Sequence, residues 1–500
     1  MHTSTRHEAP EVLRALASAG LALTLGLFGL AGCGAQQPAQ EEPAKEEQAQ
    51  EEKAADEAAA TEKTGAPNAA EGFEVNPDRT GATYTDDENY IYPPITGATT
   101  DFSFENKHAA STEQLISIVE HDPELKALLE KSIAMCAEIN PDRSTNPAQT
   151  LDEYYDYLDW AATALPWQIA PWTEQYSSLY DRIDQSLNYF YWLVDQPLEE
   201  LEDRGYYNNT LEYHEPFRSW MILFTETYGQ FLNTTDSWCD EYYQIALSNP
   251  DFQLDGDLYE DPSNWKTFNQ FFARYLSDPS KRPIAEPDDA SVVVSPADTQ
   301  PQGVWEIDEE GMVVSDDPIT IKSGTLRDVD TLLGPSEFKG EFAGGTFTHM
   351  FLDVNDYHRY HFPVSGTIRE VLVIPGDDAI GGRTIYDEKT QMYLLKANDT
   401  SWQSIETRGL VIVETDGYGL VAVMPIGMSQ VSSVNFEDTV KVGARVEKGD
   451  MLGCFLFGGS DIVLLFQDGI DFKMDCPEKA DGGYEHIDMG SRYATLSANK

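Results

Sequence analysis

The 500-residue sequence predicts an α+β fold, in which a helical N-terminal domain at 98–265 precedes a β-rich domain at 266–500. From Ser111 to Tyr228, helix-capping patterns alternate with apolar residues at helical spacing. After Pro283, short runs of Val, Ile and Leu are separated by Gly, Pro, Asp and Asn, which is typical of β-strands joined by turns. Each part is long enough to bury a core of its own.

The first 33 residues have the pattern of an export signal. Arg6 and Arg14 are followed by an apolar stretch at 16–30, and the tetrapeptide at 30–33 reads Leu-Ala-Gly-Cys. This is typical of a signal peptide with a lipobox, in which Cys33 becomes the lipidated first residue of the mature protein. A plain secretion signal is the alternative. We expect an extracytoplasmic protein that the lipid on Cys33 anchors to the cell membrane.

Residues 34–97 are rich in Gln, Glu, Ala, Pro and Lys. Such a segment buries too little apolar surface to offset the entropy of ordering it, so we expect a disordered acidic tether. The formal net charge of the whole chain is −54. That charge excludes nucleic acid as a partner and disfavours electrostatic adhesion to an anionic membrane.

The helical domain carries three capping signals. Ser111 to Gln114 forms a capping-box pattern, Asp122 precedes Pro123, and Thr150 begins a second box. We interpret most of its large aromatic residues as core, and a stacking surface for a ligand is the alternative. These residues are Trp160, Trp167, Trp172, Tyr189, Tyr191, Trp192, Trp220, Phe224 and Tyr228.

A Gly-Gly-Ser-Asp break separates two apolar runs at 453–466 in the β-rich domain. The composition predicts a strand, a tight turn and a second strand. The four cysteines beyond Cys33 contain no C-x-x-C pair, so buried thiols and up to two disulfides both remain open.

Four segments in this region resemble the phosphatidylserine decarboxylase family in the same order. They are Phe-Asn-Gln-Phe-Phe-Ala-Arg at 268–274 with Lys-Arg-Pro-Ile at 281–284, Ser-Pro-Ala-Asp at 295–298, Asp-Tyr-His-Arg-Tyr-His-Phe-Pro at 356–363, and Gly-Ser at 459–460. Residues 224–237 look like the helical domain of the tryptophan-decarboxylase-like branch of that family.

The resemblance implies self-cleavage between Gly459 and Ser460 and a pyruvoyl group derived from Ser460. It also implies that His361 is the base, that Asp298 orients it, and that His358 lies close to the substrate. The structural alternatives are a turn acid for Asp298 and satisfied structural histidines. Because residues three apart in a strand face opposite sides, we expect no metal site at the two histidines.

Two positions depart from the family pattern. Asp461 stands where Thr is commonest, and we expect its carboxylate beside the pyruvoyl group, where it would alter which substrate is tolerated. Thr299 stands where many members have Gly, and it would change the turn that presents Asp298.

The resemblance therefore implies a carboxy-lyase that acts on a phospholipid or on a small amine-bearing acid. We expect phosphatidylserine as the substrate, because the lipid enzymes contain both the first motif and the Asp-Tyr-His-Arg-x-His box. A free aromatic amino acid is the alternative that the helical domain favours. A ligand-binding lipoprotein without catalytic activity is the remaining alternative.

Overall fold

The computed structural model describes residues 107–165, 176–180, 185–202, 204, 209–315, 327–376, 381–396, 400, 402–429, 433–480 and 482–498. The predicted signal peptide, Cys33 and the acidic tether lie outside these ranges, as do Trp167 and Trp172. Within them, no helix has both the length and the apolar character that crossing a bilayer requires.

Seven α-helices precede the first strand in the described part of the chain. They are α1 (Ala110–His121), α2 (Pro123–Ile139), α3 (Leu151–Ala161), α4 (Gln185–Trp192), α5 (Phe217–Leu232), α6 (Asp240–Ser248) and α7 (Phe268–Phe272). An eighth helix, α8 (Val329–Leu332), lies among the strands.

Two of the three predicted helix starts are confirmed. The Asp122 carboxylate accepts from Leu125 N at the start of α2, and the Thr150 hydroxyl accepts from Glu153 N at the start of α3. The predicted capping box at Ser111 is wrong. The N-cap of helix α1 is Ala109, two residues earlier, so Ser111 lies inside the helix with its side chain buried.

The aromatic residues of the helical part form a core, as predicted. Six of them are buried. Five of these share one cluster, against which the half-buried Trp160 packs, and Tyr228 belongs to the core that contains α7. Their rings contact one another at several angles, as in the tilted pair of Trp220 and Phe224 at 5.5 Å between centroids and the stacked pair of Tyr189 and Trp192 at 6.1 Å. The buried six are Tyr189, Tyr191, Trp192, Trp220, Phe224 and Tyr228.

Fifteen strands are present in the described residues, which confirms the α+β class. They are β1 (Val292–Val294), β2 (Gln300–Glu306), β3 (Thr346–Leu352), β4 (Arg359–His361), β5 (Gly366–Ile374), β6 (Arg383–Asp387), β7 (Met392–Lys396), β8 (Thr407–Thr415), β9 (Leu420–Met428), β10 (Asn435–Phe436), β11 (Arg445–Val446), β12 (Met451–Cys454), β13 (Gly459–Phe466), β14 (Ile470–Met474) and β15 (Arg492–Ala498).

The largest sheet has seven strands in the order β11-β5-β8-β9-β13-β3-β2, and its pairs are antiparallel. Strand β13 lies inside this sheet, between β9 and β3. Its residue Ser460 is opposite Gly427 on one neighbour and Leu352 on the other. The Gly-Ser pair of the sequence is therefore at the first two positions of an interior strand.

Alternate residues of β13 face two different cores. Ile462 and Leu464 pack in the core that also contains α7, whereas Val463 and Leu465 pack in the core on the other side of the sheet. Ser460 is in step with Ile462, so it faces the α7 side.

The predicted tight turn at Gly-Gly-Ser-Asp is wrong. The connection between the strands is at 455–458, and Gly459, Ser460 and Asp461 belong to β13. Strand β12 pairs instead with β10 and β4 in a separate three-stranded sheet. Pairing with β9 and β3 extends β13 through residues whose composition alone favours a turn.

None of the four cysteines in the described residues is in a disulfide. Cys136, Cys454 and Cys476 are buried and Cys239 is exposed. The domain boundary after residue 265 stays a prediction, because the core around α7 takes in residues from both sides of it, including Leu232 and Leu352.

Candidate functional site

The Ser460 hydroxyl lies beside the imidazole of His358. Ser460 Oγ and His358 Nδ1 are 3.3 Å apart, and both side chains are fully buried. The other ring nitrogen, Nε2, is 3.0 Å from the carbonyl oxygen of Asp353 and must donate to it. Nδ1 of the neutral ring is therefore an acceptor, which is the arrangement of a base facing a hydroxyl.

His358 is held neutral and in place by its surroundings. Burial and, to a smaller extent, the positive charge of Arg274 together lower the pKa of His358 to about 3. The Phe272 ring stacks on the imidazole, with 3.8 Å between centroids and 22° between planes. The ring is thus uncharged at neutral pH and restrained from turning away from Ser460.

His361 has different partners. Its Nδ1 donates to the Gly449 carbonyl at 2.8 Å, and its Nε2 accepts from the Tyr357 hydroxyl at 3.2 Å. Burial lowers the pKa of His361 to about 4. Within the described ranges, its side chain is not hydrogen-bonded to Ser460 or to Asp298, so the catalytic role implied for His361 stays a prediction.

Asp298 is a fully buried acid rather than an exposed turn residue. Its two oxygens accept from Arg282, with Oδ2 at 2.6 Å from Nη2 and Oδ1 at 3.1 Å from Nε. Met489 N also donates to Oδ1, at 2.7 Å. The negative charge of Asp298 acts to raise the pKa of His361 against the effect of burial. Asp298 thus joins the Lys-Arg-Pro-Ile segment to the C-terminal part of the chain, close to His361.

The two departures from the family pattern have separate environments. The expectation that Asp461 lies beside residue 460's functional group is wrong, because adjacent strand residues point to opposite faces. Its Oδ2 is instead 2.7 Å from His349 Nδ1, and both side chains are fully buried. Thr299 is bridged to Ile487 by two backbone hydrogen bonds, which fixes the loop next to Asp298.

A family model described as phosphatidylserine decarboxylase matches residues 268–495. Phosphatidylserine decarboxylase proenzyme of Vibrio vulnificus is 34% identical over 266 residues, which cover 48% of this chain and 82% of that protein.

The chain belongs to the phosphatidylserine decarboxylase family. This family depends in general on a pyruvoyl group, and its reaction class is that of the carboxy-lyases. Its membership confirms the resemblance drawn from the four motifs.

Two further relatives match about half of this chain. Phosphatidylserine decarboxylase proenzyme 2 of Oryza sativa is 30% identical over 256 residues, which are 50% of this chain but only 37% of the rice protein. Decarboxylase iboD of Amanita muscaria is 29% identical over 276 residues, which cover 50% of this chain and 77% of the relative. The residues before 268 lie outside the family match, so the likeness of 224–237 to the tryptophan-decarboxylase-like branch stays a prediction.

Several side chains of the site were not singled out from the sequence. Phe272 and Arg282 lie inside quoted motifs, but only the structure shows that one stacks on His358 and the other binds Asp298. The carbonyl that fixes the His358 tautomer comes from Asp353, and a backbone group has no sequence signal of its own.

Proposed function

We propose that this chain is a pyruvoyl-dependent decarboxylase that matures by cutting itself between Gly459 and Ser460. The observation that carries the proposal is the 3.3 Å contact of Ser460 Oγ with the acceptor nitrogen of His358, in a chain of this family. A neutral imidazole beside a buried hydroxyl suits general-base activation of a serine nucleophile.

The proposed cleavage begins when His358 Nδ1 accepts the Ser460 Oγ proton. Oγ attacks the Gly459 carbonyl carbon, the bond from that carbon to Ser460 N breaks, and the nitrogen takes up a proton. The product is an ester between the two residues. Loss of the Ser460 Cα proton then breaks the Cβ–Oγ bond, which releases Gly459 as a carboxylate and leaves dehydroalanine. Addition of water and loss of ammonia convert dehydroalanine to the pyruvoyl group.

The residues around position 460 fit this group. The position is buried, and the hydroxyl that the group derives from has a neutral base as its hydrogen-bond partner. The pyruvoyl carbonyl supplies an electron sink for the loss of carbon dioxide from an amine-bearing acid. His358 would remain beside residue 460 after cleavage, where Nδ1 can hold a proton, and Phe272 would limit access of water to that nitrogen.

Phosphatidylserine is the proposed substrate, with phosphatidylethanolamine as the product. The names of the rice and Vibrio vulnificus relatives support this choice, as do the lipid-enzyme motifs at 268–272 and 356–361. The second candidate is a free aromatic amino acid, which the likeness at 224–237 favours. The relative decarboxylase iboD also supports this second candidate, because its name mentions no lipid. The remaining alternative is a ligand-binding lipoprotein that does not cut itself.

Intact-mass measurement tests the self-cleavage. We expect two fragments, of which the smaller is residues 460–500 with a blocked N-terminus that carries a ketone. Borohydride should add two hydrogens to this fragment, and the control variant Ser460→Ala should remain one chain. A wild-type protein that stays whole after long incubation would contradict the proposal and favour the binding-protein alternative.

Carbon dioxide release from the matured protein tests the substrate. Phosphatidylserine in detergent micelles is offered in one assay, and tryptophan, tyrosine and phenylalanine are offered separately. We expect release from the lipid. Release from a free amino acid and none from the lipid would reverse the order of the two candidates.

We also propose that a lipid on Cys33 anchors the enzyme on the extracytoplasmic side of the cell membrane, with residues 34–97 as a tether. The Leu-Ala-Gly-Cys tetrapeptide supports this, and the net charge of −54 offers no electrostatic attraction to an anionic bilayer. A Cys33→Ser variant should partition as a soluble protein, while Ser460→Ala should remain with the membranes. Membrane partition of both variants would mean that another surface is the anchor.

A further inference from the structure

We infer that the helical part of the chain holds the cleavage segment in position for self-cleavage, through Tyr228 and Asn233 acting on Phe457. The inference rests on the proposed self-cleavage and extends it to residues before 268, outside the family match. Tyr228 belongs to α5, and Asn233 is the residue that caps the C-terminal end of this helix.

Two hydrogen bonds lead from the end of α5 to the cleavage segment. Phe457 N donates to Asn269 Oδ1 at 3.0 Å, and Asn269 Nδ2 donates to Asn233 Oδ1 at 3.1 Å. Asn269 is fully buried and Asn233 is half-buried. Because a buried amide that loses its partner is costly, the orientation of the Asn269 side chain is tied to both of its neighbours.

Three aromatic rings restrain the side chain of Phe457. Tyr228, Phe268 and Phe272 each meet its ring edge to face, with centroids 6.0, 5.2 and 5.4 Å away. Edge-to-face contacts are the favoured geometry for aromatic pairs. The Tyr228 hydroxyl in turn donates to the Ala164 carbonyl, which fixes this ring to the helical part.

Helix α7 packs against the base and against the segment that precedes the scissile bond. Its residue Phe272 stacks on the imidazole of His358 and also contacts Phe457. The helical part fixes α7 from the other side, because Phe268 N donates to Ser237 Oγ at 3.0 Å and Trp238 stacks on Phe271 at 4.4 Å. A displacement of α7 would therefore change the distance between base and nucleophile.

The position of Phe457 matters because Gly458 and Gly459 follow it. Two glycines in succession restrict the backbone little, so Phe457 is the last side chain that can be held before the scissile bond. Attack of Ser460 Oγ on the Gly459 carbonyl needs the reacting atoms about 3–3.5 Å apart, and a displacement of about 1 Å can cost about 100-fold in rate. Tyr228 and Asn233 are positioning residues in this sense.

Four variants test the inference, in two matched pairs. Tyr228→Ala removes a ring beside Phe457, while Tyr228→Phe keeps the ring and loses only the hydroxyl. Asn233→Ala removes the acceptor for Asn269, while Asn233→Asp keeps an oxygen there. The chains are made by cell-free synthesis, and the appearance of fragment 460–500 is followed over time. We expect the alanine variants to cut at least about 10-fold more slowly than wild type, and the conservative variants to cut at nearly the wild-type rate.

Hydroxylamine separates positioning from later chemistry, because this nucleophile cleaves an ester that has already formed. If positioning of the first attack is impaired, the alanine variants accumulate no ester, and hydroxylamine should not restore their cleavage. Restoration to the wild-type level would overturn the inference. Thermal unfolding of each variant in a Ser460→Ala background checks the fold, and if Tyr228→Ala does not fold, the Asn233 pair decides.

The outcomes for the inference and for the proposed function are distinct. A wild-type chain that never cuts contradicts the self-cleavage itself. A wild-type chain that cuts, together with a folded Asn233→Ala variant that cuts equally fast, overturns the inference and leaves the proposed function intact.

Discussion

Self-cleavage is expected to keep a nearly constant rate between pH 5 and pH 8. The pKa of His358, lowered to about 3 by burial, leaves its Nδ1 unprotonated throughout this range. At pH 5, about 99% of such rings are neutral, whereas an imidazole with the ordinary pKa of about 6.5 is neutral in only about 3% of molecules. The buried base and an ordinary base therefore differ by about 30-fold in the reactive fraction at pH 5.

The measurement uses chains from cell-free synthesis, diluted into buffers between pH 5 and pH 8 before cleavage is complete. The fraction of chain converted to fragment 460–500 is followed over time, and tryptophan fluorescence shows that the protein stays folded at each pH. Ser460→Ala is the uncut control. His358→Asn removes the acceptor nitrogen, so its rate should fall about 100-fold to 10,000-fold, the usual contribution of a general base.

The prediction of a buried neutral base would be refuted if the cleavage rate of the folded protein fell about 30-fold between pH 8 and pH 5 with a midpoint near pH 6.5. Such a profile would mean that the base has an ordinary imidazole pKa. The pKa of His361 is also lowered, to about 4, so the variants rather than the pH profile separate the two histidines. If His361→Asn stops cleavage and His358→Asn does not, the base is His361, as the family resemblance implies.

Three further outcomes concern stability, measured by urea unfolding in the uncut Ser460→Ala background. The pKa values of His358 and His361 are lower in the fold than in the unfolded chain, so the unfolded state binds more protons as the pH falls through 6.5. Each histidine should therefore cost about 1.6 kcal/mol of stability between pH 6.5 and pH 5, and a urea midpoint that is unchanged over that range would contradict this. Asp298→Asn should cost about 3 kcal/mol, the lower end of the usual cost of breaking a buried ion pair, because Arg282 loses its closer carboxylate and keeps only that of Asp488 at 3.4 Å. A loss below about 1 kcal/mol would be evidence against a stabilising buried ion pair. Asp461→Thr should cost about 1–3 kcal/mol, because His349 loses the carboxylate that it contacts. The same substitution in a chain that keeps Ser460 should allow cleavage at nearly the wild-type rate, because the side chains of Asp461 and Ser460 face opposite sides of β13. A large loss of cleavage would show that Asp461 acts on the reaction.

The sequence predicted those features of the fold that depend on local chemistry. Asp122 and Thr150 start helices where their side chains can accept from the first free backbone amides, which a short pattern reveals. The division into a helical part and a β-rich part followed in the same way from the spacing of apolar residues. The candidate site residues came from the order of four motifs, and no single motif was sufficient.

Features that depend on distant partners could not be predicted in this way. Gly459 and Ser460 form a strand because β9 and β3 supply hydrogen bonds on both sides, although their composition favours a turn. The direction of Asp461 follows from that strand, so its misassignment has the same cause. Which histidine faces Ser460 depends on the path of the chain around β4, and two histidines three residues apart give no local signal for it.

Because β13 lies inside the sheet, the proposed cleavage would affect how the protein can refold. Fragment 460–500 contains β14, β15 and all of β13 except Gly459, so cutting would leave two polypeptides that share two sheets and hold together without a covalent link. His358 and Ser460 are distant in the sequence and come into contact only in the folded chain. Cleavage would therefore follow assembly of the sheet, and a cut chain would be one that had folded. Once separated by denaturant, the two pieces would have to find each other in a bimolecular step that depends on their concentration. The uncut precursor folds without such a step, because the two segments are covalently joined. The intact backbone would therefore assist folding only once, before cleavage.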